Sequence, residues 1–122
     1  MIVTTLELPL VPKSYNSTRY APWYVSRAAN EELKQAIGFA LMEMGGERGR
    51  ASVKASALLI FPTRRRRDEG NFRTPLEKAL GDALVEGRWI EDDTPDRYSF
   101  GAVAFSDERG AAQTVLTLAW QD

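Results

Sequence analysis

Residues 51–62, ASVKASALLIFP, alternate Val53, Ala55, Ala57, Leu59 and Phe61 on one side, then turn apolar on both sides from Leu58 to Phe61. A period of two marks a strand, and apolarity on both faces marks one covered from either side. The stretch therefore predicts a central strand, closed by Pro62. Immediately after it, residues 63–71 read TRRRRDEGN and crowd four arginines beside Asp68 and Glu69. A strand end would hold this charged loop on a rigid support.

Downstream, Thr74, Pro75 and Glu77 have the spacing of a helix start, with Thr74 as the cap, Pro75 in the first position and Glu77 completing the capping box. Leu76, Ala79, Leu80, Ala83 and Leu84 give that helix a buried stripe that ends at Gly87. An acidic connection follows, WIEDDTPD at 89–96. Residues 98–105 and 113–120 read as strands, and the polar turn between them, Ser106 to Gly110, predicts an antiparallel hairpin.

Upstream, residues 2–8 place Ile2, Thr4, Leu6 and Leu8 on one side of a strand ended by Pro9 and Pro12. From Pro9 to Ser26 no buried face is legible, so a long loop is expected, rich in hydroxyls and carrying Tyr15, Tyr20, Trp23 and Tyr24. Leu33, Ala36, Ile37, Ala40, Leu41 and Met44 then form a helical stripe, with Asn30 as a possible cap and Gly45-Gly46 as the stop. The order is β-α-β-α-β-β. It predicts one α+β domain spanning 1–122, a two-layer domain with a mixed sheet and helices on one face. The other face of so small a sheet makes dimerisation plausible.

The chain of 122 residues contains neither cysteine nor histidine, which excludes disulfides, thiolate or imidazole metal sites and a Ser-His-Asp triad. Any catalysis must use carboxylates, lysine, hydroxyls or a metal held by oxygen. No window reaches membrane-spanning length, and the N-terminus lacks a basic stretch followed by an apolar run, so a cytoplasmic protein is expected. A formal net charge of −1 means that nucleic-acid contact has to come from local clustering.

Arg64, Arg65, Arg66 and Arg67 repel one another, and a phosphate backbone would relieve that repulsion while releasing counterions. A solvated strand end partly compensated by nearby acids is the alternative. Carboxylates converging from the two loops, Asp68 and Glu69 with Glu91, Asp92 and Asp93, would suit Mg²⁺, because that ion prefers oxygen ligands. This needs the helix between them to double the chain back and bring both loops to one end of the sheet. The acidic run could equally be a solvated connection. Lys78 could stabilise phosphate charge or pair with Asp82 on the surface. The aromatic segment from Ser14 to Tyr24 could stack on bases or simply pack on the sheet edge.

Taken together, RRRRD at 64–68 with Asn71, LEKALGDAL at 76–84 and WIEDD at 89–93 resemble the core signature of the RusA-type Holliday-junction resolvases. Leu8-Pro9, Pro12, Ser14 and Asn16 resemble that family's opening strand and loop, so the likeness covers nearly the whole chain. The resemblance implies a homodimer that binds four-way DNA junctions and introduces paired nicks with Mg²⁺ or Mn²⁺ during recombination and repair, often encoded by a phage or prophage. Carried over residue by residue, it implies metal binding by Asp68, a functional role for Lys78 in the helix and metal binding by Asp93 or Asp92, the tandem acids leaving the register open by one residue. Glu69 could serve as a further ligand if the loop bulges, or Asn71 could offer a neutral oxygen, and DNA contacts are expected from Arg64, Arg65, Arg66, Arg67, Lys13 and Asn16.

The sequence departs from the family pattern in two places. Gly70 stands where a second aspartate is expected, and extra residues separate Asn71 from Lys78. Three expectations follow: an active junction endonuclease, a junction-binding protein weakened in catalysis by Gly70, or an interaction domain with no DNA role.

Overall fold

A computed structural model describes residues 2–121. Its elements in chain order are β1 (Ile2–Leu8), α1 (Tyr15–Thr18), α2 (Trp23–Met44), β2 (Ser52–Phe61), α3 (Glu69–Glu86), β3 (Tyr98–Asp107) and β4 (Gln113–Gln121). The sheet order is β1-β4-β2-β3, with β4 antiparallel to both β1 and β2 and β3 parallel to β2. The predicted α+β class and mixed sheet are both present. The expected central strand, β2, has a partner on each side.

One side of the sheet presents Leu6, Leu8, Val53, Leu59, Leu116 and Leu118 to Leu33, Ile37 and Leu41 of α2 and to Leu76, Leu80 and Leu84 of α3, all within one buried cluster. The opposite side keeps Thr5, Glu7, Lys54 and Ser99 exposed. The result is a two-layer domain in which burial of one sheet face supplies most of the hydrophobic stabilisation.

The expected β3–β4 hairpin is absent, because β2 lies between the two strands. β2 is the strand with apolar side chains on both faces: even Ile60, on the side away from the helices, is only 7% exposed. Neighbouring side chains from strands on both flanks help to cover such residues, and β4 lies on the flank of β2 opposite β3.

Two helix starts also differ from expectation. α2 begins at Trp23 after Pro22, inside the segment read as loop, and Asn30 lies within it. Its first turns leave Trp23, Tyr24, Ser26, Arg27 and Ala28 exposed, so they carry no apolar stripe. The C-terminal stop at Gly45 is as expected, with φ 69° and its N–H donating to the Leu41 carbonyl. α3 begins at Glu69 rather than after Thr74, with Asp68 as its cap and Pro75 inside. A proline there forgoes one backbone hydrogen bond. The added turn is held by Phe72, whose ring packs edge-on against Phe61 at 5.5 Å and Phe105 at 5.7 Å.

Candidate nucleic-acid interface

Beyond β2, the arginine run divides into two kinds of side chain. The Arg67 guanidinium lies 3.7 Å from the centre of the Phe61 ring and donates to the carbonyls of Thr63 and Arg65, both at 3.1 Å. It folds the loop back onto the end of the strand. Arg64, Arg65 and Arg66 are exposed and make no ion pair among the described residues. Their charge is free to meet an anion.

A cleft of about 360 Å³ opens beside this run, lined by Arg65, Arg66, Asp68 and Asn71 on one side and by Ser14 and Asn16 of the α1 region on the other. Asn16, one of the residues expected to contact DNA, therefore lies beside the arginines. The α1 segment is anchored by Thr114, a fully buried residue whose hydroxyl donates to the Leu10 carbonyl at 2.7 Å. On the other flank of α1, Lys13 and Tyr15 line a second groove of about 450 Å³ with Trp23, Arg27, Asn30 and Lys78. Successive residues of α1 thus look into two adjoining cavities, and both carry cations.

Sequence reasoning missed Arg27, which lines the second groove, and Arg19, which is exposed at the end of α1. The guanidinium of Arg19 lies 4.5 Å from the centre of the Tyr20 ring, and that of Arg27 5.9 Å from the centre of the Trp23 ring. A signal was present: each basic residue stands one position or one helical turn from an aromatic one. Cation–π pairing keeps the exposed rings and charges together.

The carboxylates do not come together as expected. Parallel pairing of β2 and β3 through α3 puts Asp68 at the C-terminal end of β2 and Glu91, Asp92 and Asp93 at the opposite end of the sheet, ahead of β3. Asp68 accepts the Gly70 N–H at 3.0 Å as the cap of α3. Asp93 instead meets the middle of that helix, its Oδ2 lying 3.5 Å from where a Gly81 side chain would begin. Gly70 and Gly81 are separated by about 16 Å along the axis at 1.5 Å per residue.

The other acids are engaged locally. Glu69 pairs with Arg73 at 3.5 Å, Asp92 accepts the Asp93 N–H at 2.8 Å, and Glu91 pairs with Arg97 at 3.1 Å. Asp96 accepts the Thr94 hydroxyl, which holds its carboxyl below the usual range. No group of three or more acidic residues is placed to hold an ion among the described residues. The set Asp68, Glu69, Asp92 and Asp93 does not fit one Mg²⁺ or Mn²⁺ ion within a subunit, since an octahedral Mg²⁺ takes its oxygens at about 2.1 Å.

Lys78 is exposed, 3.5 Å from Asp82, and stands one turn before Gly81. The extra residues between Asn71 and Lys78 are helical, so they carry the lysine along the axis away from Asp68. Beside Asp93, the buried Tyr98 hydroxyl donates to the Glu77 carbonyl at 2.8 Å. Burial, followed by the charges of Glu77 and Asp93, pushes that phenol well above its ordinary value.

No family model matches this chain, and no curated protein matches it. Among the described residues no helix is long and apolar enough to cross a membrane.

Proposed function

We propose that this protein binds branched DNA, with four-way junctions as its preferred substrate, in the manner of a RusA-like domain. The observation that carries the reading is the position of α1 between the arginine cleft and the Lys13–Lys78 groove. It sets Arg65 and Arg66 on one side of α1 and Lys13, Arg27, Lys78, Tyr15 and Trp23 on the other, with Asp68, Glu31 and Asp82 among them, on a chain whose net charge is −1. Phosphate contacts from such a face supply affinity, and its concave shape supplies discrimination between a branch and a straight duplex. A homodimer would present two copies to a nearly symmetric junction. A role in recombination and repair in a bacterial cytoplasm, for a host or a phage, follows from the same reading.

The test is fluorescence anisotropy with a four-way junction and a linear duplex of equal length, across a salt series, with molecular mass measured alongside. Preference for the junction by about tenfold or more, persisting as salt weakens both complexes, is the expected result. Equal affinity for the two DNAs would leave only an unspecific attraction and defeat the proposal.

A second reading is hydrolytic resolution by paired nicks with Mg²⁺ or Mn²⁺. It rests on the resemblance and on Lys78 standing one turn from the point where Asp93 meets α3. It requires more oxygen ligands than a single subunit gathers, so binding is the function the geometry supports better. Nicking of a synthetic junction with either metal would establish the second reading.

A further inference from the structure

Phosphate binding accounts for Lys13, Arg27 and Lys78 around the groove between α1, α2 and α3, but it does not account for the rest of the lining. Two exposed rings stand there, Tyr15 at 45% and Trp23 at 71% exposure, over a floor that includes the buried Leu33. The other two tryptophans, Trp89 and Trp120, are buried against each other with ring centres 6.2 Å apart. Trp23 is thus the one left at the surface, held edge-on by Tyr24 at 6.1 Å and flanked by Arg27. Asn30 and Thr74 add amide and hydroxyl groups to the same wall.

A volume of about 450 Å³ lies within the size range of small-molecule pockets, ~300–1,000 Å³, and accommodates a nucleobase with its sugar. Bases within a duplex are stacked on one another and have no free face to offer these rings. A base that has left the stack has one, and base–aromatic stacking is tolerant of sequence. The charges agree with this occupant. Glu31 is engaged by Lys34 at 3.0 Å, and Lys13 and Arg27 have no carboxylate partner among the described residues. Lys78 is held by Asp82 at a loose 3.5 Å, from which a phosphate can draw it.

Resting on the DNA-binding reading, we propose that this groove takes up one unstacked nucleotide at the branch point. Its base lies against Tyr15 and Trp23, its edge faces Asn30 and Thr74, and its flanking phosphates contact Lys13, Arg27 and Lys78. The arginine cleft holds a paired arm, because Phe61 and Phe72 there are packed on each other and offer no exposed ring.

The experiment compares two junctions, one with a single unpaired thymidine at the branch point and one with an abasic residue in its place. Wild type should bind the thymidine junction about tenfold more tightly. Trp23→Ala should lower affinity for that junction and bind both alike. Arg65→Ala should weaken both equally and keep the preference. Trp23 is exposed and alanine is helix-favouring, so the variant is expected to fold, which circular dichroism checks. Equal binding of the two junctions by wild type, or a preference retained by Trp23→Ala, overturns the inference while leaving junction binding intact. Absence of binding to either junction by wild type overturns the DNA-binding reading, and the inference with it.

Discussion

Asp68 caps the first turn of α3 while Asp93 meets the same helix at Gly81, about three turns later, so the two carboxylates flank one helix without sharing a site. Loss of the Asp68 cap should cost about 1 kcal/mol in Asp68→Ala. Because the sites are more than 10 Å apart, the loss in the double variant Asp68→Ala, Asp93→Ala should equal the sum of the single losses within about 0.5 kcal/mol. Urea unfolding of the four proteins measures it, and a coupling well above that figure would show that the two acids act on each other.

Restoring the aspartate that the family resemblance leads one to expect is sterically simple. A Cβ at Gly70 would have only the Asp68 Oδ1 nearby, at an ordinary 3.5 Å, and an acid in the first helical turn suits the helix dipole. Gly70→Asp should therefore fold with stability within about 0.5 kcal/mol of wild type. It should gain no nicking activity, because the new carboxylate remains far from Asp93. Metal-dependent cleavage by this variant would mean that the α3–β3 connection approaches Asp68 on DNA.

Arg65 and Arg66 should behave differently from Arg67. Replacing either exposed arginine with alanine should weaken junction binding and reduce the slope of log affinity against log salt by about 1, with little change in stability. Arg67→Ala should lower stability as well, since its guanidinium holds the Phe61 ring and two carbonyls of the loop. Thermal melts and salt titrations on the same preparations separate the two behaviours; identical profiles for Arg66→Ala and Arg67→Ala would contradict the geometry.

Alkaline pH should weaken the fold through two residues. Tyr98 is raised above its ordinary value of 10.0, chiefly by burial, and Lys34 above 10.5, chiefly by its hydrogen bonds to Glu86 and Glu31. In each case the folded chain holds the proton more tightly than the unfolded chain. The stabilisation is therefore complete below about pH 10 and is lost as pH rises through the folded-state values. Tyr98→Phe should lose about 1 kcal/mol at neutral pH with the hydrogen bond to Glu77, yet decline less steeply above pH 10. Urea midpoints across that range give the answer, and an unaltered alkaline slope would exclude Tyr98 as a cause.

The sequence by itself determined what is local or periodic. The span of β1, the two-sided apolarity that makes β2 central, the helical stripes of α2 and α3, and the crowding of arginines at the end of β2 all follow from residue spacing along a few turns or strands. Tertiary structure decided the rest. β3 pairs with β2 and not with β4, and that parallel pairing sends the acids at 91–93 to the end of the sheet opposite Asp68. Phe72 extends α3 through Pro75 by packing on Phe61 and Phe105, contacts invisible to a reading of local propensity. The face that joins Lys13, Trp23, Arg27 and Lys78 exists only where α1 and α2 lie against α3, because proximity across distant segments is set by how the core closes, and no spacing in the chain encodes it.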